Sequence, residues 1–130
     1  MKKIRIVILC ASAMSSGIIV ESIRKEAPGM GVDCHVECAA SIRYRDFDYS
    51  TVDVIMIAPQ IKMYKPQILP FLKERGYDKI PVIDINMRDY GLAHGKPILE
   101  AALKAVEGVK NDQWWISIYL HGNDQQYWHG

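Results

Sequence analysis

The feature that most constrains the fold is an alternation of strand-like and helix-like segments along the 130-residue chain. Short apolar runs rich in β-branched residues predict strands, and apolar residues four apart, with Pro near the start and Gly at the end, predict helices. Such alternation is typical of one α/β domain with a parallel sheet and helices on both faces. The strands are predicted at residues 3–10, 32–39, 52–58 and 79–85, and the helices at residues 15–27, 64–75 and 94–107.

Charge and cysteine content limit the class of partner. The 16 Lys and Arg residues nearly balance 15 Asp and Glu residues, which argues against nucleic acid or an anionic membrane as the main ligand. No apolar run reaches the roughly 20 residues that span a bilayer, so we expect no direct membrane insertion. Three cysteines and no secretory signal favour the reducing cytosol over a disulfide framework.

The predicted topology also limits where a ligand can bind. In doubly wound parallel sheets, ligands bind beyond the carboxyl ends of the strands, at the point where the strand order reverses. This rule selects the connections at residues 11–16, 59–63 and 86–95. It places Lys3 and Arg5 at the opposite edge of the sheet, away from the predicted site.

Cys10 ends the first strand and is followed by small residues and a predicted helix start. The unbonded N–H groups of the loop and helix, with the helix dipole, form an anion site and stabilise a thiolate. Small side chains let the backbone approach a tetrahedral anion closely. We therefore predict phosphoryl chemistry on the Cys10 sulfur. The predicted phosphate-binding loop comprises Ala11, Ser12, Ala13, Met14, Ser15 and Ser16.

Other known types of cysteine site agree less well with this sequence. A thioredoxin-like pair requires a second cysteine where this chain has Ala13. Low-molecular-weight phosphatases and arsenate reductases place an arginine six positions after the cysteine, with five residues between them, where this chain has Ser16. Without that guanidinium, hydrolysis of a phosphocysteine lacks its main electrostatic stabiliser. A thiol phosphatase or arsenate reductase and a non-catalytic anion-binding domain therefore stay as alternatives.

The other two cysteines have a simpler interpretation. Cys34 and Cys38 follow the alternation of the second strand, which predicts small buried side chains. A zinc site with His35 has too few ligands in a regular motif, so we predict no metal.

Polar residues near the predicted site have two interpretations each. Gln60 is a phosphate or partner contact, or an ordinary surface residue, and Tyr90 lines the crevice or packs in the core. Arg88 is an anion contact or a solvated charge. His94 is a proton relay or a polar residue at a helix start.

Four motifs occur in order between residues 2 and 108. They are the apolar strand ending in Cys10 with Met14-Ser15-Ser16 after it, Ala58-Pro59-Gln60-Ile61, Val82-Ile83-Asp84, and Asp89-Tyr90-Gly91 ahead of Gly95. In these motifs the chain resembles the lactose/cellobiose-type enzyme IIB component of the bacterial phosphoenolpyruvate-dependent sugar phosphotransferase system. The resemblance implies a four-stranded parallel sheet of order 2-1-3-4, similar to the low-molecular-weight phosphatase fold.

The resemblance also implies an activity and partners. Cys10 would accept a phosphoryl group from a phosphohistidine of enzyme IIA, and would pass it to a sugar at the membrane permease, enzyme IIC. The implied sugar is a β-linked disaccharide, no cofactor is required, and the chain is cytoplasmic and reaches the inner face of the membrane through enzyme IIC. Pro59, Gln60, Arg88 and Tyr90 become candidate crevice or partner contacts.

Two features depart from the family pattern. Ala13 and Ala58 stand where the family tends to have glycine, and a Cβ restricts positive φ. The aromatic-rich residues 109–130 lie beyond the resemblance, so we predict an enzyme IIB-like domain at 1–108 and a separate extension. The extension could add a strand, pack on the domain, bridge subunits or be a poorly ordered tail.

Overall fold

The computed structural model describes the backbone of residues 2–11 and 13–120, and the side chains of residues 2–11 and 17–108. This described part contains four strands and four α-helices in the order β1, α1, β2, β3, α2, β4, α3 and α4, with short 3₁₀ turns in several connections. The strands are β1 (Lys2–Cys10), β2 (Val32–Ala40), β3 (Val54–Ile57) and β4 (Val82–Asp84). The helices are α1 (Ala13–Glu26), α2 (Lys65–Glu74), α3 (Met87–Gly91) and α4 (Gly95–Leu120).

The strands form one parallel sheet of order β2-β1-β3-β4, which confirms the predicted topology. The central strands β1 and β3 are apolar and buried on both sides, as parallel strands covered by helices must be. β2 lies at the edge, where its exposed Asp33 and His35 explain the alternating sequence.

The chain covers both faces of the sheet. From β1 it crosses through α1 to β2, and from β3 it crosses through α2 to β4, in the opposite direction along the sheet. Right-handed crossovers in opposite directions place α1 and α2 on opposite faces. α4 packs against α1, so the result is a three-layer α/β domain, as predicted.

The core fills the space between the sheet and these helices. Apolar side chains of α1, α2 and α4 lie against the buried faces of β1 and β3. Burying one such side chain contributes about 1.5–3 kcal/mol before the entropy of ordering is subtracted. The helical core residues are Ile19, Ile23, Ile68, Leu72, Ile98, Leu99 and Ala102.

The last helix differs most from its prediction. Gly108 was expected to end it, but α4 continues to Leu120, and the interpretation of residues 114–120 as a strand is wrong. Gly108 does not adopt the positive φ of a helix-terminating glycine, and one glycine costs a helix only about 1 kcal/mol. α4 therefore crosses the predicted boundary at residue 108, whereas residues 121–130 lie outside the described part. Over the helices described, none combines the length and apolar character needed to cross a bilayer.

Two connections predicted as loops contain short helices. Residues 59–64 form a 3₁₀ turn that opens with Pro59, and α3 follows β4 because Asn86 caps it. The Asn86 side chain accepts backbone hydrogen bonds from Arg88 (2.8 Å) and Asp89 (3.2 Å). Pro70 lies inside α2, which continues through it.

Candidate functional site

Cys10 is the last residue of β1, at the carboxyl edge of the sheet. The neighbouring strand β3 ends beside it, since the Ala58 N–H donates to the Leu9 carbonyl at 2.9 Å. The strand order reverses between β1 and β3, which is where doubly wound sheets form a ligand crevice. The structure thus places the end of β1, with Cys10, beside the segment that opens with Pro59.

The start of α1 follows Cys10 closely. α1 begins at Ala13, two residues earlier than predicted, so residues 13–16 belong to the helix. The first four N–H groups of a helix have no partner within it and carry its positive dipole end. The first turn of α1 contains no acidic residue that would compensate this charge. The arrangement favours an anion next to Cys10.

Both alanines that replace family glycines fit their backbone positions. Ala13 is helical, and Ala58 is extended with φ −66° and ψ 146°, conformations open to any L-residue. Among described non-glycine residues, Ala93 alone has a positive φ. The missing glycines therefore impose no backbone strain here.

The Cys10 side chain is 0% exposed and is present as a thiol. Its S–H donates to the Ala39 carbonyl of β2 across a sulfur–oxygen distance of 3.7 Å. For the sulfur to act as a nucleophile, it must lose this proton and become accessible. The structure therefore shows a resting arrangement of the cysteine.

Cys38 lies on the same side of the sheet as Cys10. Parallel register pairs Cys10 with Ala40 and Ile8 with Cys38, so the two cysteines lie two positions apart on one face of neighbouring strands. Burial raises the pKa of the Cys38 thiol above its usual value, and Cys10 raises it further through its charge and a hydrogen bond. The sequence predicted a small buried side chain at Cys38, whereas the structure leaves it half-buried against the core, and the sequence did not reveal its contact with Cys10.

The third cysteine is farther along β2. Cys34 is opposite Ile4, and burial, followed by the negative charge of Asp33, raises its pKa to about 11. Within the described part of the chain, no group of three or more His, Cys, Asp or Glu side chains is arranged to hold a metal ion.

A cavity of about 320 Å³ lies at the carboxyl ends of β3 and β4. An ion pair between Lys65 Nζ and Asp84 Oδ2 (3.4 Å) joins the end of β4 to the start of α2 nearby. Both polar and apolar side chains face this cavity. Its lining consists of Ile57, Pro59, Lys62, Asp84, Ile85, Asn86 and Met87.

The other predicted site residues separate into exposed and buried ones. Gln60 and Arg88 are exposed in the segments after β3 and β4 and are available to a partner. Tyr90 is 8% exposed and belongs to the core, which favours the packing interpretation. His94 Nδ1 lies 3.2 Å from Asp89 Oδ1, so its imidazole pairs locally at the start of α4.

Exposed apolar side chains follow every strand at the carboxyl edge, a signal that the sequence analysis missed. The side chains of Ile42 and Met87 are 78% and 74% exposed. Large exposed apolar side chains are candidates for contacts with a partner protein. We define this set as the apolar rim, and it consists of Ile18 after β1, Ile42 after β2, Met63 after β3 and Met87 after β4.

Sequence comparison finds relatives of one kind. A protein from Bacillus subtilis (strain 168), named as a PTS system oligo-beta-mannoside-specific EIIB component, is 30% identical over 99 residues, which cover 76% of this chain and 92% of that protein. A PTS system cellobiose-specific EIIB component from Lactococcus lactis subsp. lactis (strain IL1403) is 27% identical over 101 residues, covering 75% and 91%.

Solved structures agree on the fold. The cellobiose-specific phosphotransferase IIB component from Borrelia burgdorferi superposes with a TM-score of 0.65 and 28% identity, over 82% of this chain and 94% of that one. The lactose-specific IIB domain from Streptococcus pneumoniae gives a TM-score of 0.59 at 19% identity, over 85% and 97%. A sequence model of the family described as "PTS system, Lactose/Cellobiose specific IIB subunit" matches residues 5–101. With the cysteine, crevice and fold in place, the chain belongs to this lactose/cellobiose-specific IIB family of the sugar phosphotransferase system.

Proposed function

We propose that this chain is a phosphocarrier in which Cys10 accepts a phosphoryl group from a phosphohistidine of enzyme IIA and transfers it to a sugar at enzyme IIC. One observation carries the proposal: in a chain of the IIB family, Cys10 ends β1 at the switch point, directly before the uncompensated N-terminus of α1. The helix end offers N–H donors and positive potential to a phosphocysteine dianion.

The transfer has two steps. The Cys10 thiolate attacks phosphorus in line, so that a sulfur–phosphorus bond forms while the phosphorus–nitrogen bond to the donor histidine breaks. A sugar hydroxyl then attacks the phosphocysteine, which restores the thiolate as the leaving group and releases the hydroxyl proton. Phosphoryl transfer through a loose transition state depends mainly on positioning and electrostatics, which backbone N–H groups of residues 11–16 can supply.

Partner docking has to expose the cysteine. Cys10 is covered in the resting arrangement and its thiol donates to Ala39, so the approach of enzyme IIA must free the sulfur. The apolar rim surrounds this edge and offers a surface that enzyme IIA and then enzyme IIC can cover in turn. The exposed Gln60 and Arg88 provide polar contacts at the same edge.

The names of the relatives indicate the sugar class. They specify oligo-beta-mannoside and cellobiose, so we propose a β-linked disaccharide or short oligosaccharide as the final acceptor. In this proposal the chain works on the cytoplasmic side and reaches the membrane only through enzyme IIC.

The test is a phosphoryl-transfer assay with isotopically labelled, phosphorylated enzyme IIA. We expect the label to move to this chain and to survive in the absence of enzyme IIC and sugar. Cys10→Ser should abolish labelling, whereas the matched control Cys34→Ser, which changes a cysteine on the same face of the sheet, should retain it.

Two results would contradict the proposal. Full labelling of the Cys10→Ser variant would show that another residue carries the phosphoryl group. Rapid hydrolysis of p-nitrophenyl phosphate without any partner would support the thiol phosphatase alternative, despite Ser16 at the position of the catalytic arginine.

A further inference from the structure

Cys10 and Cys38 form a contact that phosphoryl transfer does not require. The parallel register places both side chains on the same face of adjacent strands, and the Cys10 thiol donates to the carbonyl of Ala39, the residue after Cys38. The raised pKa of Cys38, to which Cys10 contributes, agrees with this proximity. Cys34 shares the face but lies opposite Ile4, four residue pairs further along the strands than Cys38.

We propose that Cys10 and Cys38 are a redox-modification site, in which a peroxide converts the two thiols into an intramolecular disulfide. The functional consequence of this inference, a loss of phosphoryl acceptance, rests on the proposed function, because the disulfide would occupy the sulfur that accepts the phosphoryl group. The chemistry itself depends only on the two neighbouring thiols.

The reaction balances with a hydroperoxide as the oxidant. The Cys10 thiolate attacks a peroxide oxygen, the oxygen–oxygen bond breaks, and Cys10 becomes a sulfenic acid while hydroxide leaves and takes up the proton released by Cys10. The Cys38 thiol then attacks the Cys10 sulfur, and its proton leaves with the hydroxyl group as water. In total, two thiols and one hydrogen peroxide give one disulfide and two waters.

The roles of the two sulfurs follow from their surroundings. Cys10 lies before the N-terminus of α1, so we assign it the attack on the peroxide. Cys38 is the neighbouring thiol on β2 and therefore acts as the resolving thiol in the second step. The sulfurs must approach to about 2.05 Å, so formation of the disulfide requires the adjoining strand segments to shift.

The test treats the full-length, reduced chain with hydrogen peroxide and maps the products by mass spectrometry. Trypsin leaves Cys34 and Cys38 together in the peptide 26–43, whereas an additional cleavage after Glu37 separates them. We expect the peptide that contains Cys10 to be joined to residues 38–43, with the loss of two hydrogen atoms and full reversal by dithiothreitol. This readout needs no variant and no phosphoryl donor.

Variants and labelling separate the two proposals. Cys38→Ser should abolish the cross-link and leave Cys10 to oxidise to sulfinic acid, whereas Cys34→Ser should cross-link like the native chain. Phosphoryl acceptance from enzyme IIA should fall to background after oxidation and return after reduction. A cross-link through Cys34, a disulfide between two chains, or no cross-link would overturn the inference. Failure of the reduced chain to accept phosphoryl would instead refute the proposed function and leave the disulfide intact.

Discussion

Tyr49 shows how one buried hydroxyl stabilises the segment between β2 and β3. Its side chain is fully buried, and its O–H donates to the Tyr44 carbonyl at 2.7 Å. Its ring packs between Phe47 and Tyr77, at centroid distances of 5.1 Å and 5.9 Å. Burial, and then the charge of Tyr44, raises the pKa of Tyr49 to about 12.

Alkaline pH should therefore destabilise the protein through Tyr49. The folded-state pKa of about 12 lies above the ordinary value of 10.0, so the unfolded chain releases this proton first. The contribution of Tyr49 to the free energy of unfolding is complete below pH 10 and is lost as the pH rises through 12. Tyr49→Phe should lower the free energy of unfolding by about 1 kcal/mol at neutral pH and flatten its decline above pH 10.

Urea unfolding at a series of pH values checks this prediction. The matched control is Tyr77→Phe, which removes the hydroxyl of a half-buried tyrosine in the same aromatic cluster. If the free energy of unfolding of Tyr49→Phe declines at alkaline pH as steeply as that of the native chain, Tyr49 does not contribute to the decline.

On the scale of the elements, the close packing of α1 against the start of α4 leaves no space for an added side-chain atom at Gly95. Ser22 of α1 donates from Oγ to the Ala93 carbonyl (2.7 Å) and accepts the N–H of Gly95 (2.9 Å), which joins α1 to the start of α4. A Cβ on Gly95 would lie 2.5 Å from Ser22 backbone and side-chain atoms. A glycine is required here because the helices approach too closely for any side chain.

Gly95→Ala should accordingly lower the free energy of unfolding by about 1–3 kcal/mol, because the added methyl group forces the helices apart. Gly17→Ala is the matched control, since a Cβ at Gly17 meets nothing within 4 Å and an alanine suits the interior of a helix. Thermal and urea unfolding measure both variants. Equal stability of Gly95→Ala and the native chain would contradict the close approach.

Sequence periodicity predicted the elements that are long and regularly patterned. β1 and β2 were located because their residues are continuously apolar or strictly alternating. α3 was missed because five residues, Met87–Gly91, are too few to show a helical period, and its start depends on the Asn86 cap. The end of α4 was misplaced because glycine stops a helix only when its φ is positive, which Gly108 does not adopt.

Sequence patterns also cannot predict those features of the candidate site that depend on which segments become neighbours in the fold. The position of Cys10 at the end of a strand and before a helix was predictable, because the apolar run of β1 stops at this residue. The Cys38 contact was not, because it depends on β2 being the neighbour of β1 and on a register of Ile8 with Cys38. The apolar rim is likewise assembled from four segments that are distant in sequence.

On the scale of the whole molecule, the carboxyl edge combines the cysteine with the apolar rim. If this edge receives enzyme IIA, the double variant Ile42→Ser with Met87→Ser should weaken binding about tenfold or more and leave stability almost unchanged. Both side chains are largely exposed, so their loss removes little core packing.

Calorimetric titration with enzyme IIA tests this role of the rim. Leu69→Ser provides the matched control, because Leu69 is an exposed apolar residue of α2, outside the rim. Native affinity of the double variant, or an equal loss in Leu69→Ser, would place the docking surface elsewhere.

The direction of α4 determines on which side of the molecule a label or tether can be attached. The ion pair between Lys2 Nζ and Glu107 Oε1, at 2.7 Å, fixes residue 107 of α4 beside the first residue of β1, at the amino edge of the sheet. Because Cys10 lies at the opposite end of the same strand, a fluorophore, affinity tag or sensor surface attached through the later part of α4 lies away from the edge that carries Cys10. Tethering through this part of the chain should therefore leave the carboxyl edge accessible to a partner in solution.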